Sequence, residues 1–160
     1  MQPDANDPTH TAMRAIRAIY AEVDRLPVQR DCVRRTECCQ FKHTGRTPML
    51  TAGEALVAAA ALRATGRREL PESDDKKAGR CSLLNPAGKC LIYDARPFGC
   101  RTHFCAAAGG PYTRNEVRDL VRKLDEIDAS LGGDGPHALP MAVESALEKI
   151  LHPPRGAQRK

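Results

Sequence analysis

The chain has 160 residues, a length that suits a single domain with its own hydrophobic core. Hydrophobic residues make up 41% and aromatic residues 4%, so a core rich in Ala and Cys would gain from a cross-link. The net charge is +5; a four-thiolate metal centre would reduce it to about +3, which does not indicate nucleic-acid binding but leaves room for a local basic patch. The longest apolar run, residues 55–62, is too short to cross a bilayer.

Residues 1–9 are polar and interrupted by proline, and we expect them to be disordered. They lack the basic and apolar segments of a secretory signal, so we expect a cytoplasmic protein in reducing conditions. A first helix is predicted over about residues 11–26, with Thr9 or Thr11 as its N-cap and Pro27 after its end. Its apolar positions follow three-and-four spacing and are Met13, Ile16, Ile19, Tyr20 and Val23.

Seven cysteines fall into two blocks, which are Cys32, Cys38 and Cys39, and then Cys81, Cys90, Cys100 and Cys105. An odd count prevents complete pairing, and clustered cysteines in a reducing compartment are more often metal ligands than disulfides. The sequence therefore predicts a metal centre in preference to disulfides or redox-switching thiols. Successive side chains of an extended strand point to opposite faces, so Cys38 and Cys39 need a tight turn to share one metal, or have separate roles.

Between the blocks, Thr51 and Glu54 form a capping-box pattern, which predicts a helix to about Thr65 that Gly66 closes. Residues 66–80 read as a solvated connector. A turn signal at 85–89 separates two short apolar runs, and predicts a small hairpin with Cys81 and Cys90 near its ends. Segment 81–105 has few apolar residues, so we expect a metal to order it.

A second capping box at Thr113 and Glu116 predicts a helix to about Leu131. Its apolar stripe is Val117, Leu120, Val121, Leu124, Ile127 and Leu131. The row of Arg114, Arg118 and Arg122 could meet an acidic partner, although a solvated face is the simpler interpretation. Pro140 opens a fourth helix lined by Met141, Val143, Ala146, Leu147, Ile150 and Leu151. The predicted fold is mainly α: one small domain of about four helices over 10–152, with a cysteine-rich, metal-organised loop or hairpin region and a flexible basic tail at 153–160.

Four thiolates saturate either Zn²⁺ or an iron–sulfur cluster. The cysteine spacing matches neither a CxxC…CxxC zinc ribbon nor the compact ferredoxin run. With His103 as an eighth ligand two sites are possible, but one four-cysteine site is simpler, and His103 could instead pack beside Phe104. His43 reads more simply as a loop residue than as a ligand. Arg96 and Arg101 flank Cys100, where they could donate hydrogen bonds to thiolates or sulfides, or form ion pairs, for example with Asp94.

At these residues the chain resembles the YkgJ-type cysteine-cluster family, which is described as a zinc- or iron-chelating domain. The family pattern reads CxxCxxCC, then a T-x-x-E helix start, then C…GxCxIYxxRPxxCR. The likeness covers about residues 28–106. The match to the last part of the family pattern is close and consists of Gly88-Lys-Cys90-Leu-Ile-Tyr93 and Arg96-Pro97-Phe-Gly-Cys100-Arg101. The resemblance implies metal binding by Cys32, Cys38, Cys39, Cys81, Cys90 and Cys100.

The first block departs from this pattern, because Arg35 stands where the family has its second cysteine. The resemblance therefore implies a centre that draws on both blocks. It implies no single activity. A related cysteine cluster occurs in flagellin lysine methylases, but nothing in this chain resembles their additional catalytic region.

Together these observations predict a protein that binds an iron–sulfur cluster, of the 4Fe-4S type, with an electron-transfer, sensing or accessory role. The alternative is a structural Zn²⁺ module that mediates protein or nucleic-acid contacts through its arginines. An enzyme is the least supported interpretation, since no Glu or His pair at fixed spacing provides a catalytic base. We expect no membrane association, and the sequence identifies no protein partner.

Overall fold

A computed structural model describes residues 7–27, 30, 37–72 and 79–153, with the side chains of Glu37 and His43 excepted. The architecture is mainly helical, as the sequence predicts. The helices are α1 (Pro8–Asp24), α2 (Phe41–Thr44), α3 (Ala52–Ala64), α4 (Phe98–Thr102), α5 (Arg114–Ser130) and α6 (Leu139–Leu151). Two short strands, β1 (Met49–Leu50) and β2 (His137–Ala138), pair antiparallel.

Helix α1 begins earlier than its sequence pattern suggests. Asp7 is the N-cap, and its carboxylate accepts a hydrogen bond from the backbone N–H of Thr9. Pro8 occupies the first turn, where a missing N–H costs nothing and the fixed φ favours the helix. The predicted threonine N-cap is therefore wrong, as is the predicted disorder of residues 7–9; residues 1–6 lie outside the described part.

Helix α3 is the axis of the domain. Thr51 is its N-cap, in the predicted capping box, and the helix ends before Gly66, whose φ of 86° only glycine adopts readily. Helices α1, α5 and α6 all contact it. Most of its positions are buried, namely Gly53, Glu54, Ala55, Leu56, Val57, Ala58, Ala59 and Leu62. Because its side chains are mostly small, neighbouring elements approach its backbone closely.

The hydrophobic core has two parts on either side of α3. One lies between α3 and α6 and includes Leu50, Leu139 and Val143. The other lies between α1 and α5 and includes Ile16, Leu120 and Leu124, with Val57 of α3 and Phe98 of α4. The cysteine-rich segment meets both parts, since Leu83, Leu84 and Ile92 pack in the first and Phe98 in the second.

Helices α5 and α6 start where the sequence predicts, but their apolar stripes differ in detail. Val121 is 40% exposed and Met141 is 61% exposed, so both predicted core positions are wrong. Asp128, by contrast, is buried in α5, where its carboxylate accepts the backbone N–H groups of Ala52 (2.7 Å) and Gly135 (3.0 Å). These bonds tie the first turn of α3 to the loop after α5.

The hairpin predicted in the second cysteine block is a tight turn with one isolated bridge, between Leu84 and Cys90. The N–H of Leu91 donates to the carbonyl of Leu83 at 2.8 Å, and the N–H of Asn85 donates to that of Lys89 at 2.9 Å. Its leucines are buried against α3 and α6. Packing on the helical core therefore contributes to the order of this segment, which the sequence assigned to a metal alone.

Candidate metal centre

Cys38 and Cys39 lie on a single 3₁₀ turn, Glu37–Cys39. The turn brings their Sγ atoms to 3.9 Å from each other, which an extended strand would not allow. A tetrahedral ion with metal–sulfur bonds of about 2.3 Å has sulfur–sulfur edges of about 3.8 Å. The local backbone therefore has the tight turn that the sequence required for two adjacent cysteines to share one centre.

The two cysteine blocks meet through the backbone. The N–H of Cys81 donates to the carbonyl oxygen of Cys39 at 2.8 Å, and Gln40 forms an antiparallel bridge with Arg80. Cys81 is buried, and Cys38 and Cys39 are partly buried. Residues separated by about forty positions in the chain are thus held side by side.

Cys81 and Cys90 have the same local arrangement. The backbone N–H of Leu83 donates to the sulfur of Cys81, and that of Ile92 donates to the sulfur of Cys90, each two residues further along the chain. Burial raises the pKa of Cys81 to about 11, against the lowering effect of its N–H donor. Burial also raises the pKa of Cys90, while its N–H donor and the guanidinium of Arg96 lower it. Both sulfurs therefore have donors that favour the thiolate.

Cys100 completes the group from helix α4. Burial raises the pKa of its thiol, and the charges of Cys81, Cys38 and Cys90 raise it further. The pKa of Cys39 is raised by its hydrogen bond with Cys38, by burial and by the charges of Cys38, Cys81 and Cys100. The charge of Cys38 acts on all four of the other thiols. We call these five residues the thiol cluster: Cys38, Cys39, Cys81, Cys90 and Cys100.

The electrostatics of the thiol cluster oppose ionisation. Each thiolate that forms makes the next more costly, because like charges lie close together away from water. A bound cation offsets this cost, because the thiolate is the form that coordinates a metal and metal binding releases the protons of the thiols. The donor set therefore suits a soft metal. Within the described residues, no group of three or more His, Cys, Asp or Glu side chains is arranged as it stands to hold a metal ion.

The two predicted arginines have different surroundings. The guanidinium of Arg96 lies over the ring of Tyr93, 4.0 Å from its centre, and its charge acts on Cys90. Arg101 is buried and pairs with the carboxylate of Asp24 at 2.9 Å, instead of with Asp94. It also donates to the carbonyl oxygens of Arg96 (2.9 Å) and Asp94. Arg101 thus fastens the loop before α4 to helix α1.

The remaining candidate ligands lie outside the thiol cluster or outside the described residues. Cys105 precedes the 3₁₀ turn Ala106–Ala108 and is partly buried. His103 follows α4, and its pKa is lowered by burial and by the charge of Arg46. The ring of Phe104 contacts that of Tyr112 edge-on, with 5.8 Å between centres. Cys32 and the side chain of His43 lie outside the described residues.

Sequence reasoning treated Glu54 only as a helix cap, but the carboxylate has a wider role. One oxygen accepts the N–H and the hydroxyl of Thr51, both at 3.0 Å. The other accepts the backbone N–H of Phe98 at 2.8 Å and the hydroxyl of Tyr20 at 3.4 Å. Burial raises the pKa of Glu54, against the lowering effect of these donors. The sequence signal that could have identified this role is the position of Glu54 in the first turn of a mostly apolar helix, because such a helix is buried on most sides.

Comparison with known proteins adds no family to these observations. No family model, curated protein or solved structure matches the chain. None of the helices in the described residues has both the length and the apolar character needed to span a membrane.

Proposed function

We propose that this chain is a metal–thiolate protein in which both cysteine blocks contribute to one centre. One observation carries the proposal: five thiols from three chain segments are buried or partly buried, and the charge of Cys38 acts on the other four. The ionisation of such a group is costly without a cation and becomes favourable when a cation binds. Because free thiols persist only in reducing surroundings, the proposal includes a cytoplasmic location.

The proposed occupant is an iron–sulfur cluster of the 4Fe-4S type, with a redox, sensing or accessory role. Four members of the thiol cluster would hold it, and such a cluster supplies one-electron chemistry. Three features support this choice. Backbone N–H groups donate to the sulfurs of Cys81 and Cys90, and the charge of Arg96 lies close to Cys90. Hydrogen bonds and charges of this kind tune the potential of such a centre.

A structural Zn²⁺ ion is the second candidate, and one distance favours it. The Sγ atoms of Cys38 and Cys39 are 3.9 Å apart, close to the tetrahedral edge expected when two thiolates share one ion. In a cubane each cysteine binds a different iron, so the sulfurs lie at separate corners. The role of a zinc module would be to hold the two blocks together and present a surface to a protein partner.

Purification without oxygen, followed by a visible spectrum and a count of iron, zinc and sulfide, tests both candidates. Iron and sulfide with a broad absorbance near about 400 nm would support the cluster. A colourless protein with stoichiometric zinc would support the structural module. A reduced protein that binds neither, with all its cysteines titrating as thiols, would refute the metal centre.

A further inference from the structure

We infer that Glu54 is a positioning residue for the centre, because it holds the helix that carries the Cys100 thiol. The inference rests on the proposed metal-binding function and names a residue that governs it. Glu54 itself is not a candidate ligand, because Thr51, Tyr20 and Phe98 already donate hydrogen bonds to both of its oxygens.

The link from Glu54 to Cys100 passes through the first turn of α4. The N–H of Phe98, which opens this helix, donates to Glu54 at 2.8 Å across 44 positions of the chain. Within the same turn, the N–H of Cys100 donates to the carbonyl of Pro97 at 2.9 Å. Helix α4 has five residues, too few to hold its position without tertiary contacts. The carboxylate therefore anchors the element that carries Cys100 to the central helix.

Tyr20 and Arg101 complete this support. Tyr20 is 3% exposed, and its hydroxyl donates to Glu54. The guanidinium of Arg101 lies over the Tyr20 ring, 4.4 Å from its centre, and pairs with Asp24. Residues from α1, α3 and α4 thus form one connected network around the helix that carries Cys100, and the charge of Cys100 acts on Tyr20. Outer groups that orient a ligand in this way usually change metal affinity when they are altered.

Asp128 provides a matched control. It is 4% exposed and Glu54 is 2% exposed. Each carboxylate accepts a backbone N–H at the start of α3, from Ala52 and Thr51 respectively. The second anchor of Asp128 is Gly135, whereas that of Glu54 is Phe98. Glu54→Gln and Asp128→Asn therefore each remove a buried carboxylate that accepts N–H groups at the start of α3, one from α3 itself and one from α5, but only Glu54 also holds α4.

The test titrates reduced, metal-free protein with Co²⁺ alone and follows the thiolate-to-cobalt charge-transfer band. We expect Glu54→Gln to weaken Co²⁺ binding about tenfold or more, and Asp128→Asn to keep the wild-type affinity. Alkylation by iodoacetamide, mapped by mass spectrometry, is the readout that needs no metal. We expect faster labelling of Cys100, with that of Cys81 unchanged, in Glu54→Gln alone.

Equal affinity and equal Cys100 labelling in wild type and Glu54→Gln would overturn the inference, as would equal losses in both variants. If Glu54→Gln does not fold, Tyr20→Phe removes one donor and keeps the carboxylate; we expect the same changes, smaller in size. A wild-type protein without a charge-transfer band would refute the metal centre itself. The labelling rates would then decide by themselves whether Glu54 positions Cys100.

Discussion

The backbone N–H of Cys81 donates to the carbonyl oxygen of Cys39 at 2.8 Å, so a main-chain hydrogen bond joins the two cysteine blocks without involving a sulfur atom. Their contact is main chain to main chain and does not depend on either thiol. Serine can therefore replace either cysteine without removing this bond, and the chemistry of the sulfurs can be tested separately from the fold that gathers them.

We expect at least one of Cys39→Ser and Cys100→Ser to lose bound metal, because four of the five thiols of the cluster hold the centre and only one is spare. Stability should fall as well, since a metal at 1,000 times its dissociation constant stabilises the folded state by about 4 kcal/mol. Cys105→Ser should keep its metal, as all five thiols of the cluster remain. Elemental analysis and thermal unfolding measure the two effects. Full metal content with wild-type stability in both Cys39→Ser and Cys100→Ser would exclude a centre built from both blocks.

The raised pKa of Glu54 predicts a stability change with pH. A carboxyl whose pKa is higher in the folded state contributes most below its unfolded value, and this contribution declines as pH rises through the folded value. In metal-free protein, the unfolding free energy of wild type minus that of Glu54→Gln should therefore decrease as pH rises from 4.5, the ordinary value. Denaturation series at several pH values measure this difference. A difference that increases with pH would show that the four hydrogen bonds to Glu54 lower its pKa by more than burial raises it.

Arg101→Lys should destabilise the protein by about 1–3 kcal/mol, because lysine cannot reproduce the several hydrogen bonds that the guanidinium makes. Its side chain is 6% exposed and joins Asp24 to the loop before α4. The control is Arg122→Lys, since the Arg122 side chain is 68% exposed and 3.8 Å from Asp119. We expect that change to cost about 0.5 kcal/mol or less. Equal effects in urea denaturation would show that Arg101 is not a fastening residue.

Gly133→Ala should cost about 1–3 kcal/mol, because the new methyl group overlaps the carboxylate of Asp128 and displaces it from the N–H of Ala52. Gly99→Ala is the matched change. Among the described residues beyond its own helix, only the Cβ of Pro48 comes within 4.0 Å of the added methyl group, so we expect the change to be neutral or to stabilise by about 0.4–1 kcal/mol. Denaturant midpoints compare the two. A neutral Gly133→Ala would mean that Asp128 has room to move.

Local signals predicted the long helices well. Thr51 with Glu54, and Thr113 with Glu116, mark helix starts that the structure confirms, because a capping box is satisfied within four residues. The start of α1 was misplaced because Pro8 was taken as a sign of disorder instead of a first-turn proline. The β1–β2 pair was not predicted, since it joins residues almost ninety positions apart and each strand is two residues long.

The cysteines themselves were evident in the sequence, and the tight turn at Cys38 and Cys39 was required by their adjacency. What the sequence did not indicate is the support behind them. The bond from Phe98 to Glu54 and the pairing of Arg101 with Asp24 connect distant segments, so no spacing rule reveals them. Asp128 was missed for the same reason: a carboxylate on an apolar face is explained only by the two backbone N–H groups that it reaches.

The burial of α3 on nearly every side also bears on how this sequence can change over time. From Gly53 to Ala59 each of its residues is buried, so a larger or charged side chain has no open direction to take. Helix α5, with Arg114, Arg118 and Arg122 in solvent, offers several such positions. A saturation mutagenesis library should therefore tolerate most substitutions on the outer face of α5 and few in α3. Divergent copies of this domain should be recognisable by their central alanine-rich helix as much as by their cysteines.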